Sequence, residues 1–433
     1  MISATDVEQL RRDLMNAEKD DREAALQRLS GWKPTAIDQA GAHALLEAAA
    51  LAYPEVPGTY PASPNEDLVR VLWEHPDAAD PRFVEHIVPA LPADAQLAAI
   101  RLLASNPVGA APLADVLRAI GDGRLPLSPH FYPVLLPLQH SPHADELAGP
   151  LIALLSRQEW THTAGSALLA FARSGELNAA QRAELAAWLA DELPGRLSAL
   201  ANYLSEHGPD ARFSEESDYA TSRAATGLLL DLAGRTTESR TTGVLLEAAS
   251  HADPWLATWG ILGLARLGAE PPRSAVDATA ADPECRLAVV EGLAELGQAD
   301  LIAERWRTQL SIAEANMVRW LSFPTELGRP PTQIEHLQTF RIDDDGHPAD
   351  LFLFKFRTDP PHWSAGKGWM TGVSGPFWQD GPPAAQSGGM TFSRFEALDS
   401  RSPAEHLKTM IGTLTEWAKQ QADDAQDEPS QQP

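Results

Sequence analysis

The sequence predicts a mainly α-helical protein, in which an array of stacked helical hairpins is followed by a small α+β module. Two observations carry this prediction. A stretch with helical spacing of apolar residues recurs 29 residues further along the chain, and strand-like alternation replaces that spacing in the last quarter. We place the array at residues 1–315, with irregular units over 1–150, the module at 316–419 and a disordered acidic tail at 420–433.

The repeat is clearest in two segments, DPWLATWGILGLARLG at 253–268 and DPECRLAVVEGLAELG at 282–297. Each begins with Asp-Pro, which predicts a helix start because Asp caps the first turn and Pro fits there without losing a hydrogen bond. Each ends with Gly, which predicts a left-handed C-terminal cap. Small residues inside the segments, Gly263 and Gly292, predict close approach of a neighbouring helix. A unit of about 30 residues cannot bury its apolar face alone, so we expect the units to stack.

Weaker copies of the pattern lie upstream. SALLAFARSG at 166–175 fits the same spacing about three periods earlier, and EAALQRLSGW at 23–32 and QLAAIRLLASNP at 96–107 are candidate degenerate units. The stretch at 52–68 is rich in Pro, which predicts long loops or an irregular cap there.

This pattern resembles the short HEAT-like repeats of bacteria, of the type first noted in phycobilisome lyases. The resemblance is most specific at 253–297. It implies an α-solenoid scaffold that binds proteins along a concave face, and it implies no chemistry by itself. Some members of that group act on phycobilin attachment or on alkylated DNA, but this chain has neither a cofactor signature nor the basic groove that DNA requires. The last quarter resembles an uncharacterised C-terminal region of bacterial HEAT-repeat proteins, which implies no activity.

The α+β module begins after a Pro-rich break. Strands are predicted at 334–342, 351–357, 368–375 and 388–396 from alternation and β-branched or aromatic content. The sequence Ser-Pro-Ala-Glu at 402–405 is a capping box that predicts a helix start. We therefore expect an antiparallel sheet with one face covered by this helix, and the other face either packed on the last helical repeat or open.

Composition and charge restrict the class of protein. The chain has one cysteine, Cys285, so it forms no internal disulfide, and it shows neither a signal peptide nor an apolar run of membrane-spanning length. These features predict a soluble cytoplasmic protein. Residues 1–315 hold 44 acidic and 24 basic residues, a net charge of −20, which would repel nucleic acid and suits either a basic partner or simple solubility.

Several short motifs resemble functional sites but are better explained as ordinary structural elements. Gly366-Lys367 lacks both the upstream Gly and the following Ser or Thr of a phosphate-binding loop. Ser374 lacks the final Gly of a nucleophile elbow, and no helix follows it. The acidic stretch at 343–350 lacks the twelve-residue calcium frame and is better explained as a hairpin turn. The histidines of HSPHADE, at 140–146, favour a solvated loop over a metal site. No cofactor or metal is predicted.

The remaining candidates are aromatic residues in Gly- and Pro-rich parts of the module. Aromatic side chains on loops are typical of recognition surfaces, although a small sheet also fills its core with such residues. The candidate binding residues are Trp363, Trp369, Phe377 and Trp378.

The function predicted from these features is a non-catalytic scaffold that binds another protein. In a sharper version its acidic array neutralises or chaperones a basic protein such as a toxin. The alternative is a small-molecule binder or hydrolase-like enzyme with its site in the module, around His362, Trp369 and Ser374. A third hypothesis, nucleic-acid binding, would need a basic stripe such as one formed by Arg223, Arg235 and Arg240. The oligomeric state is left open.

Overall fold

A computed structural model of the chain describes residues 2–16, 18–54, 64–129, 134–140, 143–213, 218–237, 239–344, 346–359, 368–379 and 394–412. Within these ranges the protein is mainly helical, with 17 helices and one four-stranded antiparallel sheet near the C-terminal end. The chain divides into two compact units. The first consists of Met1–Arg196 and Thr221–Gly243, and the second of Leu197–Ala220 and Val244–Pro433.

In the first unit, helices α1 to α9 pack on the helices one or two places along the chain. The segments at 23–32 and 96–107, predicted as helical, overlap α2 and α6 and run two residues beyond the end of each helix. The chain leaves this unit within α10 and returns to it within α11. The helices are α1 Ala4–Leu14, α2 Lys19–Ser30, α3 Gln39–Ala49, α4 Asn65–Arg70, α5 Pro81–Ile87, α6 Ala93–Ser105, α7 Ala110–Gly121, α8 Ala144–Leu154, α9 Thr161–Ser174, α10 Ala179–His207 and α11 Asp218–Ala233.

The second unit contains further helices and the sheet. Its helices α13 to α16 also contact their near neighbours in sequence. A last helix, α17, covers 403–412 of the described residues. The remaining elements are α12 Thr242–Ala249, α13 Pro254–Arg266, α14 Arg273–Ala281, α15 Pro283–Glu295, α16 Gln309–Leu321, β1 Gln333–Asp344, β2 His347–Arg357, β3 Met370–Trp378 and β4 Arg394–Ala397.

The helix start and stop signals of the repeat are confirmed. Asp253 and Asp282 are the N-caps of α13 and α15, and each accepts a hydrogen bond at 2.9 Å from the backbone N–H two residues on. Gly268 and Gly297, which follow these helices, have φ values of 73° and 71°, in the left-handed region where Gly is favoured.

The small residues inside the repeat permit close helix packing, as predicted. A Cβ placed on Gly263 would lie 2.6 Å from Leu245 Cδ2 of α12, and one on Gly292 would lie 2.6 Å from Leu262 Cδ2 of α13. Both distances are shorter than van der Waals contact, so a larger residue would force the helices apart.

The sheet is a meander with strand order β1-β2-β3-β4. The acidic stretch at 343–350 spans the end of β1 and the start of β2, which agrees with the predicted hairpin. Asp344 pairs with His347 across the two strands. Gly346 has a φ of 84° in this turn, and its N–H donates to Asp343 Oδ1 at 2.6 Å. Two irregularities interrupt the register, one in β1 after His336 and one in β2 after Asp350.

Both faces of the sheet are covered. Helix α16, which runs across residues 315 and 316, contacts β2 and β3 on one face, where Trp320 meets the Phe395 ring edge-on. On the other face α17 contributes to a buried apolar cluster. The buried members of that cluster are Leu351, Leu353, Val373, Leu407 and Met410.

Polar contacts fix α17 to the end of the sheet. Ser402 and Glu405 form the predicted capping box, since the Ser402 N–H donates to Glu405 Oε2 at 2.8 Å and the Glu405 N–H donates to Ser402 Oγ at 3.4 Å. The buried His406 ring places Nδ1 2.5 Å from Glu396 Oε1 of β4 and Nε2 3.3 Å from Asp399 Oδ1. This end of the module is therefore held by charged groups as well as by the apolar cluster.

The described helices include none that is both long and apolar enough to cross a membrane.

Candidate binding surfaces

Trp369, one of the predicted binding residues, lies just before β3 and is half-buried. Its ring centre is 4.7 Å from Lys355 Nζ and 5.0 Å from Arg357 Cζ, both of which belong to β2. Contacts of this kind are favourable because the ring face is electron-rich. Lys355 also forms an ion pair with Glu335 at 2.8 Å. The Trp369 ring is therefore already in contact with two cations of its own chain.

Trp378 lies at the other end of β3 and is also engaged. Its Nε1–H donates to Asp344 Oδ2 at 2.9 Å, and its ring stacks on His347 with a centroid separation of 4.9 Å. The backbone carbonyl of Trp378 accepts a hydrogen bond from Gln309 Nε2 at 2.6 Å. These contacts hold the side chain against the β1–β2 turn.

The predicted aromatic residues do not form one surface. Trp369 and Trp378 are separated by the length of β3, about 30 Å for a nine-residue strand. Phe377 is fully buried and contacts Phe352 edge-on at 5.7 Å, so it is a core residue. Trp363 lies outside the described residues.

Ser374, part of the alternative enzyme hypothesis, is fully buried in β3 opposite Phe352. Its hydroxyl has no hydrogen-bond partner among the described residues. A substrate cannot reach a side chain inside a sheet that is covered on both faces, and nothing in the described ranges activates the hydroxyl. His362 and Gly366-Lys367 lie outside the described residues.

The predicted solvated loop before α8 contains His143, and its ring nitrogens have partners. Nδ1 lies 3.4 Å from Glu146 and Nε2 lies 3.2 Å from the carbonyl oxygen of Pro107. The described residues of this loop do not include three metal-ligating side chains that lie close together. The side chain of His140 is not described.

One group of three metal-ligating side chains occurs in the described ranges, formed by Asp282, Glu284 and Cys285. Asp282 uses one oxygen to cap α15 and the other to accept a hydrogen bond from Arg212 Nη2 at 3.0 Å. The Arg212 guanidinium thus supplies the positive charge that a metal ion would bring. The arrangement fits a helix cap with an ion pair rather than a metal centre.

A groove in the first unit offers a more accessible surface. It encloses about 520 Å³ and lies where the start of α3, the turn before α5 and the loop between α6 and α7 meet. We call it the Asp77–Val108 groove. The lining residues are Gln39, Asp77, Ala78, Ala79, Asp80, Pro81, Asn106, Pro107 and Val108.

The loops that form the groove are held by a buried side chain. Asn106 donates from Nδ2 to the carbonyl oxygens of Pro76 at 2.5 Å and Ala79 at 3.3 Å, while its Oδ1 accepts from the Val108 N–H at 3.0 Å. Asn106 thus ties the turn before α5 to the loop before α7. A groove fixed in this way pays little ordering entropy when a partner binds.

The groove combines unneutralised carboxylates with an exposed apolar residue. Asp77 is exposed and has no hydrogen bond or ion pair within the described ranges, and Asp80 accepts only from the Arg82 N–H at 2.9 Å. The nearby Arg82 guanidinium instead pairs with Glu85 at 2.7 Å and Asp115 at 3.0 Å. Val108 has 73% of its surface exposed, the largest fraction among the exposed large apolar residues of the described chain.

Sequence reasoning missed this groove, although one signal was present. Asp80-Pro81 is one of two further Asp-Pro pairs in the sequence, and Asp80 caps α5 as Asp253 and Asp282 cap their helices. The pair marks a helix start, but nothing in the sequence shows that the loop around Val108 lies beside it.

No protein-family model matches the chain, and no curated protein matches its sequence.

Proposed function

We propose that this chain is a non-catalytic interaction scaffold, a HEAT-like solenoid array whose acidic surface binds a basic protein. The helix-on-helix packing between near neighbours in sequence is what such an array requires. The observation that carries the proposal is electrostatic: the helical region has a large surplus of negative charge that its own cations do not neutralise.

Most of the arginines in 1–315 form ion pairs with carboxylates of the same chain. At least fifteen of the 24 basic residues in 1–315 form ion pairs with its carboxylates, leaving the surplus acidic groups available to a partner. Arg235, which belongs to the basic stripe of the nucleic-acid hypothesis, pairs with the buried Asp231 at 3.1 Å. A surface of this kind attracts basic partners, speeds their association and repels phosphate backbones.

The test is affinity capture with the full chain from a lysate of its source organism, followed by stepwise elution with salt and mass spectrometry. We expect basic proteins to be retained at low ionic strength and released as salt screens the charges. A matched variant neutralises exposed carboxylates that have no ion pair among the described residues. Its substitutions are Asp94→Asn, Glu184→Gln, Asp191→Asn, Glu247→Gln and Glu295→Gln.

The variant should retain less of the same basic proteins at low ionic strength and should release them at a lower salt concentration. Retention of proteins that are neither basic nor released by salt would contradict the proposal, as would equal retention by the wild type and the neutralised variant. Circular dichroism of both proteins confirms that the comparison is made between folded chains.

A further inference from the structure

We propose that the Asp77–Val108 groove is the specific recognition point for the basic partner, and that it takes an arginine or lysine side chain flanked by an apolar residue. This inference rests on the proposed function and adds a site and a ligand chemistry to it. The groove combines a rigid wall, two exposed carboxylates that form no ion pair in the described chain, and an exposed apolar residue. Its volume is about 520 Å³, which is within the usual range of ligand pockets in proteins.

The charge of the groove selects a cation. Asp77 has no partner of its own among the described residues, and the Asp80 side chain accepts only a backbone N–H, so both retain acceptor capacity. A carboxylate that is ionised accepts strong hydrogen bonds from guanidinium or ammonium groups. Anionic ligands such as phosphate groups would be repelled by both side chains.

The apolar side of the groove selects what accompanies the cation. Val108 and Pro107 are exposed, and Pro81 lies partly exposed beside Asp80. The methylene stem of an arginine or lysine can lie along such a surface while its charged end reaches the carboxylates. A neighbouring leucine or valine of the partner would bury Val108, which otherwise exposes 73% of its surface to water.

A bound metal ion explains the groove less well. The two aspartates do not belong to any cluster of three ligating side chains in the described chain, and Asp80 is already used to cap α5. Hard cations bind six or more oxygens in proteins, which this lining does not supply. A peptide segment accounts for both the carboxylates and the apolar wall.

The experiment measures fluorescence anisotropy of labelled peptides with the full-length protein at low and high salt. The probes carry Arg-Leu pairs in a Gly-Ser background, with Glu-Leu and Arg-Gly counterparts. We expect the wild type to bind the Arg-Leu peptide in a salt-sensitive manner and to ignore the Glu-Leu peptide. Asp77→Asn with Asp80→Asn should weaken Arg-Leu binding about fivefold to tenfold.

Two further variants distinguish binding in the groove from attraction by the overall negative charge of the chain. Val108→Ser should weaken binding of the Arg-Leu peptide but leave the Arg-Gly peptide unchanged. Glu184→Gln with Asp191→Asn removes the same charge from exposed, unpaired positions on α10 and should change binding less than about twofold.

The outcomes distinguish this inference from the proposed function. Equal weakening by the groove pair and the α10 pair would mean that binding is spread over the acidic surface, which would overturn the groove and leave the proposed function standing. An absence of any peptide binding at low salt would overturn both.

A direct occupancy measurement does not depend on removing the carboxylates. The single native cysteine, Cys285, is buried, so a fluorophore can be attached through Gln39→Cys at the exposed rim of the groove. Addition of the Arg-Leu peptide should change its emission, and the Glu-Leu peptide should not. No change on addition of saturating Arg-Leu peptide that still binds by anisotropy would place the binding site elsewhere.

Discussion

Arg286 is the one arginine or lysine that is fully buried among the described residues. Its Nε donates to the carbonyl of Ala280 at 2.8 Å, and its Nη2 donates to that of Ala281 at 3.3 Å. Its Nη1 donates at 2.7 Å both to the Ser311 carbonyl and to Glu314 Oε2. One guanidinium thus satisfies the last carbonyls of α14 and joins α14, α15 and α16. The repeat did not predict this role, because the matching position 29 residues earlier is an alanine.

Arg286→Met is expected to destabilise the protein by about 3–5 kcal/mol, because it leaves buried carbonyls unsatisfied and the Glu314 carboxylate without its partner. Urea unfolding measures the change. The control is Arg305→Met, which removes an arginine that also stacks on Trp306 but is exposed and pairs with Asp277. It should cost less than about 1 kcal/mol. Similar losses for the two variants would contradict the assigned role of Arg286.

Ionisation of Tyr53 is expected to lower the free energy of unfolding at alkaline pH. Burial raises the pKa of its hydroxyl to about 12, against an ordinary value of 10.0, and the hydroxyl donates to the Ala48 carbonyl at 2.9 Å. The folded state favours the protonated phenol, so this stabilisation is complete below the pKa of the unfolded chain and is lost as pH rises from about 10 to 12.

Urea midpoints measured on either side of pH 10 should therefore fall more steeply with pH for the wild type than for Tyr53→Phe. The variant loses about 1 kcal/mol near neutral pH through the missing hydrogen bond. Other groups titrate equally in both proteins, so the difference isolates Tyr53. Parallel pH profiles would show that this hydroxyl ionises as freely in the folded chain as in the unfolded one.

At the level of elements, helix ends were easier to predict from sequence than helix lengths. Asp-Pro starts and Gly stops act through local hydrogen bonds and backbone angles, so a few residues determine them. Helix α10 runs for 29 residues through Pro194, where local rules predict a break. The first three strands were predicted because their alternation is local, whereas the coverage of both sheet faces depends on partners distant in sequence. Of the fourth predicted strand, 388–393 lie outside the described residues and 394–396 lie in β4.

The glycines of the helices provide a graded test of packing. A Cβ on Gly260 would meet the backbone of α12, with the Leu245 carbonyl oxygen 2.8 Å away, whereas one on Gly292 would meet only the side chain of Leu262. We expect Gly260→Ala to cost about 3 kcal/mol and Gly292→Ala about 1–2 kcal/mol, since a side chain can move further than a backbone.

Gly195 is the matched control for that series. It lies within α10, and a Cβ there would meet no atom within 4 Å, so Gly195→Ala should stabilise the protein by about 0.5–1 kcal/mol through helix propensity. Thermal and urea unfolding of the three variants give the order. A Gly260→Ala that costs less than Gly292→Ala would contradict the packing described for α12 and α13. A destabilising Gly195→Ala would contradict the open surroundings described for that position of α10.

At the scale of the whole molecule, the candidate site illustrates what sequence could not supply. The aromatic residues were selected because they share a Gly- and Pro-rich stretch, but a strand carries Trp369 and Trp378 to its opposite ends. The Asp77–Val108 groove draws on three segments between residues 39 and 108, and only the packing of α3, α5 and α7 brings them together. The net charge could be read from the sequence, whereas the position of Asp77 and Asp80 beside Val108 could not.

The division of the chain into two units predicts which fragments fold on their own. The first unit is discontinuous, because Thr221–Gly243 belongs to it although 197–220 does not. Within this unit Leu228 packs against Gly165 of α9, and the buried Asp231 pairs with Arg173 at 2.8 Å. A fragment that ends at residue 196 therefore exposes the apolar face of α9 and leaves Arg173 without its carboxylate.

We expect a fragment of residues 1–243 to unfold cooperatively and to resist limited proteolysis, and a fragment of residues 1–196 to do neither. The comparison uses thermal unfolding followed by circular dichroism, with proteolysis under identical conditions. Asp231→Asn in the longer fragment is the intermediate case, because it keeps α11 but removes the buried charge that pairs with Arg173 and Arg235. Its stability should lie between those of the two fragments. If the shorter fragment were as stable as the longer one, α11 would contribute nothing to the first unit, and the boundary of that unit would lie at residue 196.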